Sequence, residues 1–291
     1  MILGTDRKGS GNLSLDVPGT VRIIQPMNSK HPFHQTVLIT GASTGIGYEF
    51  AKLFARDGYQ LFLVARNREK LERLAESLKQ EFGTRTYIFP QDLSLPDAVP
   101  AILREVSRLQ LSVDILVNNA GIGLYGMFAE LPLEKQLDMM QLNITSLVHL
   151  TRELVCPMKS RGYGRILNVA STAAFQPGPL MAVYYATKAF VLSFSEAIAE
   201  ELLLSGVSVT CLCPGPTRSE FQKNAEMGNI WLFSLNQMES DVVAKAGYEG
   251  LMREKRLVIP GILNWLAAFS VRISPRRFVT WVVSRIQQRV D

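Results

Sequence analysis

Near the middle of the chain, Tyr184-Tyr185-Ala186-Thr187-Lys188 brings together a phenol and an ammonium. Tyr184 and Lys188 are four residues apart, one helical turn, so their side chains share a face; Tyr185 lacks that relation to Lys188. A phenol with its ordinary pKa of about 10 carries protons poorly at neutral pH. A cation ~4 Å away, in an effective dielectric of about 20, favours the phenolate by about 4 kcal/mol. That is about three pKa units, enough to bring Tyr184 to about 7 as a general acid/base. Ser171 lies a short way upstream.

A second group of residues can hold a dinucleotide. Thr40-Gly41-Ala42-Ser43-Thr44-Gly45-Ile46-Gly47 follows a run of β-branched and aliphatic residues and precedes a helical pattern. Gly41 permits a tight turn, Gly45 lets the backbone approach a pyrophosphate, and Gly47 lets the helix lie close on the strand. The phosphates then meet free N–H groups at the positive end of that helix. The second apolar run ends Ala65-Arg66-Asn67-Arg68, where an NAD site usually offers a carboxylate to the ribose. Arg66 complements a 2′-phosphate and can lie flat on adenine, so NADP(H) is the expected cofactor. Asp92 can accept from the adenine amino group, or cap the turn that follows it.

These residues must be positioned by the elements around them. Strands are predicted at Thr36–Thr40, Gln60–Ala65, Thr86–Phe89, Asp114–Asn118, Arg165–Ala170, Val207–Cys213 and Leu257–Ile259. They are near-continuous in apolar residues, as strands covered on both faces are. Helical spacing separates them, as in Leu71, Leu74, Leu78 and Phe82, or Ile102, Leu103, Val106 and Leu109. Such alternation predicts an α/β fold: a doubly wound parallel sheet of about seven strands (a Rossmann fold) with right-handed crossovers and ligands beyond the carboxyl ends of the strands. The chain is expected to divide into a mobile tail over 1–33, an NADP-binding catalytic domain over 34–260, and a basic, apolar C-terminal extension over 261–291. Translation from Met27 would shorten the tail.

The chain has 291 residues, 47% hydrophobic and 20% charged, which excludes a disordered chain. The net charge is +5, yet residues 253–291 alone carry +6, from eight Lys/Arg against Glu254 and Asp291. The remaining body is near neutral, at −1, which argues against nucleic acid as a partner. Cys156, Cys211 and Cys213 are expected to be reduced, buried small hydrophobes in a cytoplasmic protein, and with three scattered His they make no zinc set. The run from Leu257 to Val271 is fifteen residues long and interrupted by Pro260, Gly261 and Asn264, whereas a spanning helix needs about 20 apolar residues. Trp265, Leu266, Phe269, Phe278, Trp281 and Val282 nevertheless interleave with Arg272, Arg276 and Arg277. They either pack on the domain or lie at a membrane surface, as a peripheral contact.

With these residues in hand, the chain resembles the short-chain dehydrogenase/reductase family in its compact single-domain branch, over about residues 35–260. The motifs fall in order: Thr40-Gly41-x-x-x-Gly45-x-Gly47, Asp92-Leu93, Asn118-Asn119-Ala120-Gly121, Asn143, Ser171, Tyr184-x-x-x-Lys188 and Pro214-Gly215. Within the family it looks most like the bacterial DltE-like oxidoreductases. The resemblance implies that Tyr184 donates a proton to a carbonyl oxygen that Ser171 orients. It implies that Lys188 lowers the Tyr184 pKa and grips the nicotinamide ribose, and that Asn143 holds a water relaying protons to Lys188. Ser43, Thr44, Ile46 and Leu93 would join the three glycines, Arg66 and Asp92 in binding the cofactor, Asn118 to Gly121 (Asn119, Ala120 and Gly121 touching the cofactor) would brace the central strand beside the adenosine, and Pro214, Gly215 and Thr217 would position the nicotinamide. The family often has Thr where this chain has Ser219. It commonly forms homodimers or homotetramers, through helices at about Asn143–Val155 and Val183–Leu204.

The substrate side is expected on the loops Gly123–Phe128 and Phe175–Met181 and after Pro214, with Leu124, Tyr125, Met127, Phe128, Phe175, Leu180 and Met181 facing the nicotinamide. Ile230, Trp231, Leu232, Phe233 and Leu235 would form a lid. Arg218 is the one arginine on these loops. A largely apolar pocket points to an aliphatic, acyl, lipid-like or polycyclic carbonyl or alcohol. The competing class is a catalytically silent NADP-binding sensor or scaffold. Such a protein would be expected to have lost Tyr184, Lys188 or Ser171.

Overall fold

In the computed structural model the described residues are 35–221 and 237–288. The strands β1 (Thr36–Thr40), β2 (Gln60–Ala65), β3 (Thr86–Pro90), β4 (Val113–Asn118), β5 (Gly164–Val169), β6 (Val207–Leu212), β7 (Thr217–Arg218), β8 (Met238–Glu239) and β9 (Leu257–Val258) follow in chain order. Seven of them form one parallel sheet in the order β3-β2-β1-β4-β5-β6-β9, and the two-residue strands β7 and β8 pair separately. The seven expected strands are those of the sheet, each within a residue of the expected ends. Met27, the first 33 residues and the expected lid residues 230–235 lie outside the described residues.

The alternation inside each strand explains the layers. On β1, Val37 and Ile39 point into one core with Leu61, Leu63, Ile115 and Val117. Leu38 points into the other, with Phe62, Val64 and Leu116. Both faces of the sheet are thus covered, by α1 (Gly45–Arg56), α2 (Arg68–Phe82), α3 (Ala98–Arg108), α4 (Leu133–Met140), α5 (Leu147–Arg161), α6 (Ala182–Glu201) and α7 (Ser240–Met252). Helix α2 shows how local sequence sets these bounds. The Asn67 side chain caps the Lys70 N–H at 2.8 Å, Leu71, Leu74 and Leu78 face the core, and Gly83 ends the helix at φ +68°.

Two further helices, α8 (Ile262–Ile273) and α9 (Arg276–Ile286), follow β9. On α5, Thr151, Leu154 and Met158 form the buried face, which leaves Cys156 on the outer face. Only Cys211 and Cys213 are the buried thiols that were expected; Cys156 is exposed, because its place on the helix falls opposite the apolar stripe.

The chain runs outward from β1 to β3 and then returns to place β4 on the other side of β1. That reversal leaves a crevice at the carboxyl ends of β1 and β4. Beneath it runs a buried polar chain. Asn118 of β4 donates to Asn168 of β5 at 2.9 Å and to Thr151 at 3.0 Å; Asn168 donates to Ser195 of α6 at 2.9 Å. All four residues are buried, and each bond fixes a central element against its neighbour.

Candidate active site

A cavity of about 570 Å³ lies beyond the carboxyl ends of the strands, lined by residues that follow β1 through β6. The glycine turn forms one side. Gly41 and Gly45 adopt φ +64° and +56°, backbone that other residues rarely adopt. Thr44, extended before α1, makes no side-chain capping bond, so the first-turn N–H groups of α1 have no side-chain acceptor there. A dinucleotide pyrophosphate fits this cradle, since it supplies the anionic acceptors that an uncapped helix start lacks. Gly47 stands behind the turn: a Cβ there would lie 2.3 Å from the Gly41 carbonyl oxygen and 2.5 Å from Asn119 Nδ2.

The ends of β1 and β4 are tied together at this point. Asn119 Nδ2 donates to the carbonyl oxygens of Thr40 and Gly41, at 3.0 and 3.1 Å. Thr40 Oγ1 accepts from the N–H groups of Asn119 and Ala120, both at 3.0 Å, and donates to the Val117 carbonyl oxygen. Ser43, Ile46, Leu93, Asn119, Ala120 and Gly121 line the cavity alongside Gly41, Thr44 and Gly45.

Arg66 and Asp92 line the same cavity, with Arg66 Nη1 4.0 Å from Asp92 Oδ2. Asp92 caps its turn, since Oδ1 accepts from the Ser94 N–H at 2.9 Å and from its hydroxyl at 2.8 Å. Lys70, whose significance sequence spacing does not show, meets Glu220 with its Nζ 2.8 Å from both carboxylate oxygens. Both residues line the cavity, although 150 positions apart.

Across the cavity stand Ser171, Tyr184 and Lys188. Ser171 precedes a 3₁₀ turn (Thr172–Phe175); its Oγ accepts from the Ala173 N–H at 3.1 Å and donates to the Pro214 carbonyl oxygen at 3.4 Å. Lys188 donates to the Val169 carbonyl oxygen at 2.9 Å, and its Nζ is 5.8 Å from the centre of the Tyr184 ring. Burial pushes the Tyr184 phenol up to about 12, and the Ser171 hydroxyl pulls it only partly back. Burial draws the Lys188 ammonium down to about 8. The expected depression of Tyr184 to about 7 by Lys188 is therefore not what this geometry gives. Desolvation of the phenolate outweighs an ammonium that is turned toward Val169.

Asn143 lies behind the wall, in a π-helical stretch (Gln141–Ser146) between α4 and α5. Its Nδ2 donates to the Ile122 carbonyl oxygen at 2.9 Å and to Thr187 Oγ1 at 3.1 Å, while Oδ1 accepts from the Ile122 N–H at 3.0 Å. A Cβ on Gly121 would stand 3.2 Å from Asn143 Oδ1 and 3.3 Å from Lys188 Nζ, so both groups flank one point. Each polar atom of the Asn143 side chain has a protein partner.

The remaining wall comes from Pro214, Gly215, Thr217 and Ser219 and from the last two helices, through Asn264, Ala267, Ala268 and Ile286. A Cβ on Gly215 would lie 2.4 Å from Asn264 Oδ1. Behind Ile286, the Gln287 side chain donates to the Tyr185 hydroxyl, and the Tyr125 hydroxyl donates to the Gln287 carbonyl oxygen at 2.7 Å. Of the loop residues expected to face the nicotinamide, Met181 lines this cavity. Leu124 and Phe128 line a separate small pocket, and Phe175 packs beside Val191 and Cys213. Met127 is exposed, and Arg218 pairs with Glu239 at 2.9 Å. The C-terminal helices occupy the wall those loops were expected to form.

A family model described as short chain dehydrogenase matches residues 35–229. Nodulation protein G of Rhizobium sp. (strain N33) is 38% identical over 178 residues, which are 61% of this chain and 71% of that protein. Very-long-chain 3-oxoacyl-CoA reductase-A of Danio rerio is 36% identical over 182 residues, 61% of this chain and 56% of that protein. Among solved structures, a short-chain dehydrogenase from Sphingobium yanoikuyae in complex with NADPH superposes with a TM-score of 0.74 at 35% identity, covering 82% of this chain and 94% of that one.

Proposed function

The chain belongs to the short-chain dehydrogenase family, and on that premise we propose that it is an NADP(H)-dependent oxidoreductase interconverting a carbonyl and an alcohol on an apolar substrate. The observation that carries this is the arrangement of Ser171, Tyr184 and Lys188 on the cavity wall opposite the glycine turn. When bound, the nicotinamide supplies or takes up the hydride.

The chain's own residues do the rest. In reduction, Ser171 holds the substrate oxygen beside the Tyr184 hydroxyl. Tyr184 releases its proton to that oxygen as the carbonyl carbon accepts the hydride, so the C=O π bond becomes C–H and O–H. A phenol held neutral by burial starts this step with its proton in place. Lys188, next to the Asn143–Gly121 point and with its Nζ 5.8 Å from the centre of the Tyr184 ring, steadies the phenolate that results. Arg66 lines the cavity and would meet a 2′-phosphate there, which favours NADP(H) over NAD(H). The roles of Gly41, Gly45 and the uncapped start of α1 are to hold the pyrophosphate.

Substrate class follows from the wall. Ile122, Met181, Phe221, Ala267 and Ile286 line the cavity and bring no charge to it. An aliphatic acyl chain or a polycyclic ring suits such a wall, and a relative that reduces very-long-chain 3-oxoacyl-CoA fits the former. The free thiols suit a reducing compartment, which we take to be the cytoplasm. Exposed Leu133, Leu137 and Met140 on α4, with Phe190 on α6, offer an apolar face for a homo-oligomer.

The test is NADPH consumption by the full chain with long-chain 3-oxoacyl thioesters, steroid ketones and simple ketones, each run in parallel with NADH. Turnover of at least one apolar carbonyl with preference for NADPH is expected. NADPH binding without turnover of any carbonyl or alcohol would leave the silent-sensor alternative in its place.

A further inference from the structure

Helices α8 and α9 present an outer surface that the cavity does not use. On α8, Ile262, Leu266, Phe269 and Ile273 recur at one-turn intervals and are exposed, Ile273 to 76%. Trp265 stacks on Phe269 with ring centres 5.6 Å apart. On α9, Phe278 stacks on Trp281 at 6.1 Å, and the Arg285 guanidinium lies 5.8 Å from the Trp281 ring centre. The inner faces of the same helices are accounted for: Ala268, Val279, Val283 and Gln287 are buried.

The charges on this segment have one sign. Arg272, Arg276, Arg277 and Arg285 are exposed, and residues 261–288 contain no Asp or Glu. None of the four pairs with a carboxylate among the described residues. A second copy of this chain is a poor occupant, because a two-fold contact sets the same patch against itself and brings arginine onto arginine. Helices of 12 and 11 residues are also too short to cross a bilayer, and no described helix is long and apolar enough to do so. Aromatic and aliphatic side chains beside unpaired arginines suit the boundary of an anionic bilayer: the apolar groups enter the acyl edge and the guanidinium groups meet lipid phosphates.

We propose that α8 and α9 dock this protein on an anionic lipid surface, lying in the interface. Docking also bears on the substrate, a point that rests on the apolar-carbonyl reading above. Asn264, Ala267 and Ala268 line the cavity from the inner side of α8, while Phe269 and Trp265 face outward. A substrate dissolved in the bilayer would then have one helix between it and the cavity.

The experiment is flotation of the full chain with vesicles of phosphatidylcholine, and of phosphatidylcholine mixed with phosphatidylglycerol. Flotation with the mixed vesicles, weakened by salt, is expected. The variants Phe269→Glu/Trp281→Glu and Arg276→Glu/Arg277→Glu should each lower partitioning by about tenfold or more. Both should keep the parent's turnover of a short water-soluble ketone, so that a failure of docking and a failure of the proposed chemistry read separately. Absence of flotation with anionic vesicles would overturn the proposal. So would a dimer that Phe269→Glu/Trp281→Glu splits into monomers while neither form floats, which would make a second copy the occupant.

Discussion

The Nζ of Lys188 donates to the carbonyl oxygen of Val169 at 2.9 Å, at the end of a central strand. The ammonium is thus tied to the sheet, with its Nζ 5.8 Å from the centre of the Tyr184 ring. Replacing Tyr184 by Phe removes the proposed proton donor and leaves the glycine turn intact. We expect kcat for ketone reduction to fall by about 10²- to 10⁴-fold. The NADPH dissociation constant, followed by nucleotide fluorescence, should change by less than a few fold. A variant as active as the parent would remove Tyr184 from the mechanism.

Lys188 sets a pH dependence. Its native pKa is drawn below its ordinary 10.5 to about 8. A base with a lowered native pKa binds fewer protons folded than unfolded, so its contribution to stability rises with pH between about 8 and about 10.5. Below that window a buried ammonium costs stability. Lys188→Met should raise stability at neutral pH by on the order of 1 kcal/mol after loss of the Val169 bond. Reduction should be nearly abolished. Thermal melts across pH check the first effect: the gain over the parent should shrink above pH ~8. In the parent, kcat/KM for reduction should also decline above about 8 as Lys188 discharges.

On the proposed NADP(H) reading, cofactor choice turns on Arg66. Arg66→Ala should raise the KM for NADPH by about tenfold or more and leave NADH nearly unaffected, since a guanidinium–phosphate contact is lost only with the former. Initial rates with both nucleotides decide it. Equal losses for the two would assign Arg66 to adenine stacking instead.

Gly47→Ala tests the packing of the turn. The new Cβ would press on the Gly41 carbonyl oxygen and Asn119 Nδ2, at 2.3 and 2.5 Å. Backbone on one side and a clamped amide on the other leave little room to yield. We expect about 2 kcal/mol of destabilisation by urea unfolding, together with weaker NADPH binding.

What the sequence reveals here depends on distance along the chain. The sheet strands and the Tyr184–Lys188 pair are local patterns, and local periodicity locates them. The Lys70–Glu220 contact joins residues 150 apart, and no spacing rule connects them. The same holds for the substrate wall. Leu124 and Phe175 read as pocket residues because they flank the motifs, but α8 and α9 return from the far end of the chain and take that wall. The Tyr184 phenol departs from its expected pKa for another reason. Spacing shows that two side chains share a face, but it does not show which oxygen the ammonium turns to or how dry the site is.

The polar chain of Asn118, Asn168 and Ser195 has an energetic consequence. Asn168 stands between the other two, so its loss removes one buried bond from each, while Asn118 keeps Thr151 and Ser195 keeps the Val191 carbonyl. Replacing Asn168 alone by an aliphatic residue should therefore destabilise the protein more than replacing Asn118, Asn168 and Ser195 together. The three side chains thus act as one spacer between β4, β5 and α6, which holds the floor of the crevice still whatever lines the cavity above it.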